Sequence, residues 1–81
     1  MSVRAKFRVD SIKKYPHYEK SKGPIYEVEM RPVYGDTEEN KKFYSSTPSG
    51  EIKISGVSAE VAANWELGEE YYVDFTKAEK A

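Results

Sequence analysis

The stretch Gly50–Thr76, GEIKISGVSAEVAANWELGEEYYVDFT, constrains the fold most, because its hydrophobic period changes twice within it. At its two ends apolar and polar residues alternate: Ile52 and Ile54 against Glu51 and Lys53, then Tyr71, Val73 and Phe75 against Tyr72, Asp74 and Thr76. Period two is the signature of half-buried strands. Between them Ser58 suits an N-cap, Val61, Ala62 and Trp65 share one helical face, and Gly68 stands where a left-handed C-terminal residue is needed. The stretch is therefore expected to form a strand, one short helix and a closing strand over Glu69–Thr76, with Leu67 following the helix into the core. The closing strand carries the densest apolar content, which predicts a central place in the sheet, with Val73 and Phe75 inside.

Upstream the same alternation recurs. Val3, Ala5, Phe7 and Val9 oppose Arg4, Lys6, Arg8 and Asp10, and Ile12 then falls out of phase, predicting a bulge or a strand end near Ser11. Lys13–Gly23, polar and broken by Pro16 and Gly23, reads as an exposed hairpin loop, longer than a tight turn requires. Tyr26, Val28 and Met30 form the inner face of a second strand over Ile25–Tyr34, antiparallel to the first and limited by Pro32, which has no amide hydrogen to give. Gly35–Asn40 is an acidic turn by composition, Lys42–Ser46 a candidate short strand with Phe43 or Tyr44 inward, and Thr47–Gly50 a further turn. The order predicts a mainly β (α+β) fold: a small bent antiparallel sheet, or an OB- or SH3-like barrel of four to five strands, with one short helix before the last strand.

At 81 residues the chain is read as a single small β-rich domain, 1–81, with residues 77–81 as a frayed tail. Cysteine is absent, which excludes disulfides and thiolate chemistry and is compatible with a reducing cytoplasm. The first ten residues, MSVRAKFRVD, lack the apolar run of a signal peptide, and no segment has the length of a membrane span. Net charge is −1, yet unevenly spread: Met1–Pro32 holds eight Lys/Arg against four Asp/Glu, and the remainder five against ten. Such a dipole can steer a partner or align copies of the chain.

Catalysis has few parts to work with. His17, the only histidine, lies in the polar loop, and Ser45, Ser46, Thr47 and Ser49 have no partner base in a recognisable spacing. Asp36, Glu38 and Glu39 lack the spaced ligands of a calcium loop, and there is no glycine-rich phosphate loop. The expectation is therefore a non-enzymatic protein with no catalytic, cofactor or metal residues. Aromatic residues are the exception: Tyr15, Tyr18, Tyr26, Tyr34, Phe43, Tyr44, Tyr71 and Tyr72 exceed what so small a core can bury. Exposed tyrosines and tryptophans favour protein interfaces, so a protein partner or self-association is expected. On a sheet that also presents Arg4, Lys6 and Arg8, tyrosines could instead stack the bases of single-stranded nucleic acid. The candidate binding residues are Tyr15, His17, Tyr18, Tyr44 and Tyr72 for contacts, with Arg4, Lys6 and Arg8 for charge.

The segments TEENKKF (Thr37–Phe43), STPSGEI (Ser46–Ile52) and LGEEYYVDFTKA (Leu67–Ala78), with the opening RAKFRVDSI and the PVYG after the second strand, span most of the chain. This pattern resembles a group of short uncharacterised proteins of tailed-bacteriophage and prophage genomes. The chain departs from that group at Gly56-Val57-Ser58 and at Trp65. The resemblance implies a phage or prophage origin and synthesis in bacterial cytoplasm, and carries no catalytic position.

Overall fold

The computed structural model describes residues 2–35 and 37–79. Six elements follow in order: β1 (Ser2–Tyr15), β2 (Ile25–Pro32), α1 (Glu38–Phe43), β3 (Ile52–Ser58), α2 (Ala59–Ala62) and β4 (Glu70–Thr76). The strands make one antiparallel sheet in the order β3-β2-β1-β4, so the chain runs β1, β2, β3 outward and returns to lay β4 beside β1, the Greek-key arrangement. The sheet curls into a half-barrel, mainly β as expected. Among the described residues β3 and β4 form no ladder with each other, so the barrel stays open.

β1 explains the curl. Its first half pairs with β4, from Ser2↔Thr76 to Arg8↔Glu70, and its second half pairs with β2, from Phe7↔Pro32 to Tyr15↔Ile25. The register slips between Val9 and Ser11, the bulge that the phase change at Ile12 predicts. The strand continues past this bulge to Tyr15, further than the sequence reading carried it, because Lys13, Lys14 and Tyr15 still find partners in Glu27, Tyr26 and Ile25. The hairpin loop is accordingly shorter, residues 16–24. β2 ends at Pro32 for the expected reason. Its neighbour Val33 donates to Lys6 O at 3.0 Å, so alternation turns the proline nitrogen away from β1, to a side where β3 begins only opposite Met30.

The concave face holds the core. Ala5, Phe7, Val9, Val28 and Met30 are buried, and Ile12, Ile52, Trp65, Tyr71 and Val73 pack against them. The Tyr71 hydroxyl donates to Asn64 O at 3.2 Å and accepts from Glu66 N at 2.8 Å, which ties the crossover from α2 to β4 down onto this face.

Several expectations are corrected. Gly35–Asn40 is not a plain turn and Lys42–Ser46 is not a strand. Helix α1 occupies Glu38–Phe43, with Thr37 as N-cap, acidic residues in its first turn and lysines in its last, an order that suits the helix dipole. α2 is a single turn: Ser58 does cap it, accepting from Val61 N at 3.3 Å, but it ends at Ala63 and Gly68 is not its C-cap. Gly68 takes a φ of 85° and donates to Val9 O at 2.9 Å, so its positive φ serves the docking of the crossover on β1. A one-turn helix cannot bury a broad face. Ala62 is buried and Trp65 half-buried, while Val61 and Leu67 point to solvent. β4 lies at the sheet's edge, since the crossover lands on the far side of β1, and there Val73 packs on the core while Phe75 remains 49% exposed. Asp36 of the acidic turn and residues 80 and 81 of the expected tail lie outside the described residues.

Candidate interaction surface

On the convex face β1 presents Arg4, Lys6 and Arg8 beside β4, as alternation requires. Each meets a carboxylate. Arg4 donates to both Asp74 oxygens, at 2.7 and 3.1 Å, across a directly opposed pair, and Lys6 Nζ lies 3.9 Å from Glu70. Arg8 stands opposite Arg31 of β2, and the bulge residue Asp10 bridges the two at 3.6 and 3.3 Å. The basic stripe is thus compensated where it lies.

Tyr72 is the one candidate tyrosine on this stripe. Arg4 Cζ sits 4.7 Å and Lys6 Nζ 5.4 Å from its ring centroid, and its hydroxyl donates to Glu39 Oε1 at 2.9 Å. Its ring is therefore already engaged by cations. The backbone hydrogen bond at Glu39, then the Tyr72 hydroxyl, hold the Glu39 carboxyl below its ordinary value, and hydrogen bonding to Arg4 does the same for Asp74. Depressed carboxyls stabilise the fold above their unfolded values and lose that contribution as pH falls through the folded ones. The window opens near the ordinary values of 4.5 and 3.8 and extends below them. A series of melting curves from pH 6 to pH 3 should show a smaller acid loss for the double variant Glu39→Gln/Asp74→Asn than for the parent; parallel losses would remove both groups from the account.

The other candidates lie elsewhere. Tyr15, His17 and Tyr18 stand at the hairpin end, up to about 30 Å along β1 from Lys6 at roughly 3.3 Å per residue. There His17 stacks on Tyr18 with centroids 4.7 Å apart, accepts from Glu19 N through Nδ1 at 2.9 Å, and leaves Tyr18 88% exposed. A cleft of about 550 Å³ opens beside them, lined by Lys14, Tyr15, His17, Lys20 and Lys22 among others. Tyr44 follows α1, half-buried, and burial raises its hydroxyl's pKa, with Tyr34 a second contributor. The fold therefore brings together Arg4, Lys6 and Tyr72, with Arg8 next along the strand, and separates them from the hairpin trio.

Sequence reasoning missed a further surface. At the end of the concave face Val3 and Phe75 are directly opposed across β1 and β4, and Phe43 of α1 approaches Phe75 with centroids 6.0 Å apart. All three are exposed, Val3 by 50% and Phe75 by 49%. Alternation had assigned Val3 and Phe75 to the inside, and it gave their face correctly. What it cannot give is whether anything covers that face so near the strand ends.

Among the described residues no cluster of three metal-ligating side chains occurs, and no helix is long and apolar enough to cross a membrane. Comparison with known proteins returns no match: no family model, no curated protein and no solved structure aligns with the chain.

Proposed function

We propose that the chain is a non-enzymatic accessory protein that acts through protein–protein contacts, of phage or prophage type and at work in bacterial cytoplasm. The observation that supports this reading is the uncovered apolar end formed by Val3, Phe43 and Phe75. Contiguous exposed apolar groups on a small chain are typical of interaction sites. The compensated stripe weighs against the alternative, an OB-like binder of single-stranded nucleic acid, because a base stacking on Tyr72 would compete with Arg4 and Lys6 for its ring, and each of those cations already faces a carboxylate.

The immobilised chain, exposed to bacterial lysate, should retain a protein, and the double variant Phe43→Ser/Phe75→Ser should retain at least tenfold less of it. A labelled single-stranded oligonucleotide should not bind at low salt, where phosphate contacts are strongest. Retention unaffected by the double variant, or tight oligonucleotide binding, would overturn the proposal.

A further inference from the structure

Among the described residues the outer edge of β4 is open. Because Lys6 turns its N–H and C=O toward Val33 and Asn40, its neighbours Val3, Ala5, Phe7 and Val9 turn theirs toward β4, as the bond from Val9 N to Glu69 O at 3.0 Å confirms. Their partners Phe75, Val73 and Tyr71 are thereby satisfied. The backbone groups of Glu70, Tyr72, Asp74 and Thr76 then point the other way, where no strand lies among the described residues. An open edge of this kind is a template for another strand.

The chain also exposes more surface than its size requires. Its accessible area is 6311 Å², whereas a compact monomer of this mass exposes roughly 5,000 Å². Its radius of gyration is 15.1 Å, against about 12 Å for a compact domain of this length. Both the hairpin end and the apolar end beside β4 belong to this exposed surface. A standard dimer interface takes about 800 Å² from each partner, less than the roughly 1,300 Å² excess.

We propose that β4 pairs antiparallel with β4 of a second copy about a two-fold axis at Val73, joining two half-barrels into one eight-stranded sheet. This rests on the protein-contact reading above and names the partner. Charge selects the register. An axis at Tyr72 would oppose Glu70 to the second copy's Asp74, and an axis at Asp74 would oppose that carboxylate to itself, both unfavourable. The axis at Val73 opposes Val73 to Val73, Tyr71 to Phe75, Tyr72 to Asp74 and Glu70 to Thr76, with no like charges directly facing. It also overlaps the whole of Glu70–Thr76 and brings Phe75 of each copy against Tyr71 of the other on the apolar face.

With no native cysteine, a single substitution reports this register directly. Opposed residues at a non-hydrogen-bonded position have Cα atoms about 4.5 Å apart, within disulfide reach. Val73→Cys should form a covalent dimer under mild oxidation at least tenfold faster than Val61→Cys on exposed α2. The unmodified chain should sediment at about twice its 9.3 kDa mass. Where Val73→Cys does not fold, a mixture of Tyr71→Cys and Phe75→Cys chains should cross-link while each alone does not. Sedimentation as monomer throughout, or cross-linking no faster than the α2 control, would overturn the β4 dimer. Either result leaves the broader protein-contact reading to the lysate experiment, which fails on a different observation.

Discussion

Replacing Asn40 with alanine is expected to cost about 3 kcal/mol of folding free energy, from the net worth of its hydrogen bonds and the groups it would leave unpaired. Asn40 is 2% exposed and is the one buried polar residue of the described chain. Its Oδ1 accepts from Lys6 N at 2.8 Å, and its Nδ2 donates to Lys6 O and Val33 O, each at 2.9 Å. The side chain therefore inserts between Lys6 N–H and Val33 C=O, bridging the half of this backbone pair that Val33 N, bonded to Lys6 O, leaves open just past the end of β2. Helix α1 holds it there through its own backbone, since Asn40 N donates to Thr37 Oγ1 at 3.3 Å and Asn40 O accepts from Tyr44 N at 2.9 Å. Truncation would leave an amide and a share of two carbonyls unpaired beside β1. Against a total of about 4–12 kcal/mol for a domain of this length, such a loss is large. Asn40→Asp should do at least as badly at neutral pH, because a carboxylate has no hydrogen to offer the two carbonyls. Denaturant titration gives the energy, and hydrogen exchange at the Lys6 amide gives the location. A loss below about 1 kcal/mol, with Lys6 still protected, would mean that water replaces the side chain and that α1 is not pegged through Asn40.

That residue also marks where legibility in the sequence ran out. Thr37-Glu38-Glu39 followed by Lys41-Lys42 carries an N-cap and the charge order of a helix, so α1 was readable in principle. Six residues are too few to show a period, however, and glycine, aspartate and asparagine around them gave the stronger turn signal. The strands were legible where alternation repeats; β3, which continues through Gly56 to Ser58 with a second register slip opposite Tyr26 and Val28, was legible only in its first half. Even the bulge appeared, as the slip between Val9 and Ile12. Order within the sheet was not legible: β4 has a central strand's composition at an edge position, since apolar content reports that one face is covered and not how many neighbours a strand has.

The candidate surface was legible in part for the same reason. Period two placed Arg4, Lys6 and Arg8 on one face and Tyr72 on the same side of β4. Their compensation by Asp74, Glu70 and Asp10 depends on cross-strand register, which single-strand alternation does not contain. The apolar end was hidden more deeply. Phe43 belongs to a helix read as a strand, and Val3 and Phe75 obey the inward pattern so well that only the missing cover reveals them as surface.

Two phenylalanines on the same concave face turn that distinction into a measurement. Phe7 is 5% exposed, opposite Tyr71 on one side and Pro32 on the other, at the point where β1 passes from one partner strand to the next. Phe7→Ala should cost about 3–5 kcal/mol, the transfer of the ring plus the cavity it leaves among Ala5, Val9 and Met30. That is enough to unfold much of the population of a domain this small. Phe75 obeys the same alternation but is half exposed, so in dilute solution Phe75→Ala should cost no more than about 1.5 kcal/mol, because roughly half of its ring never leaves water. Core and contact residues thus separate by denaturant titration at low chain concentration, and the separation should narrow as concentration rises if β4 pairs with its copy, since association stabilises the parent by mass action and the Phe75 variant less so. Equal costs for the two substitutions in dilute solution would show that the concave end is closed within one chain, and the exposed apolar end on which the contact reading stands would be lost.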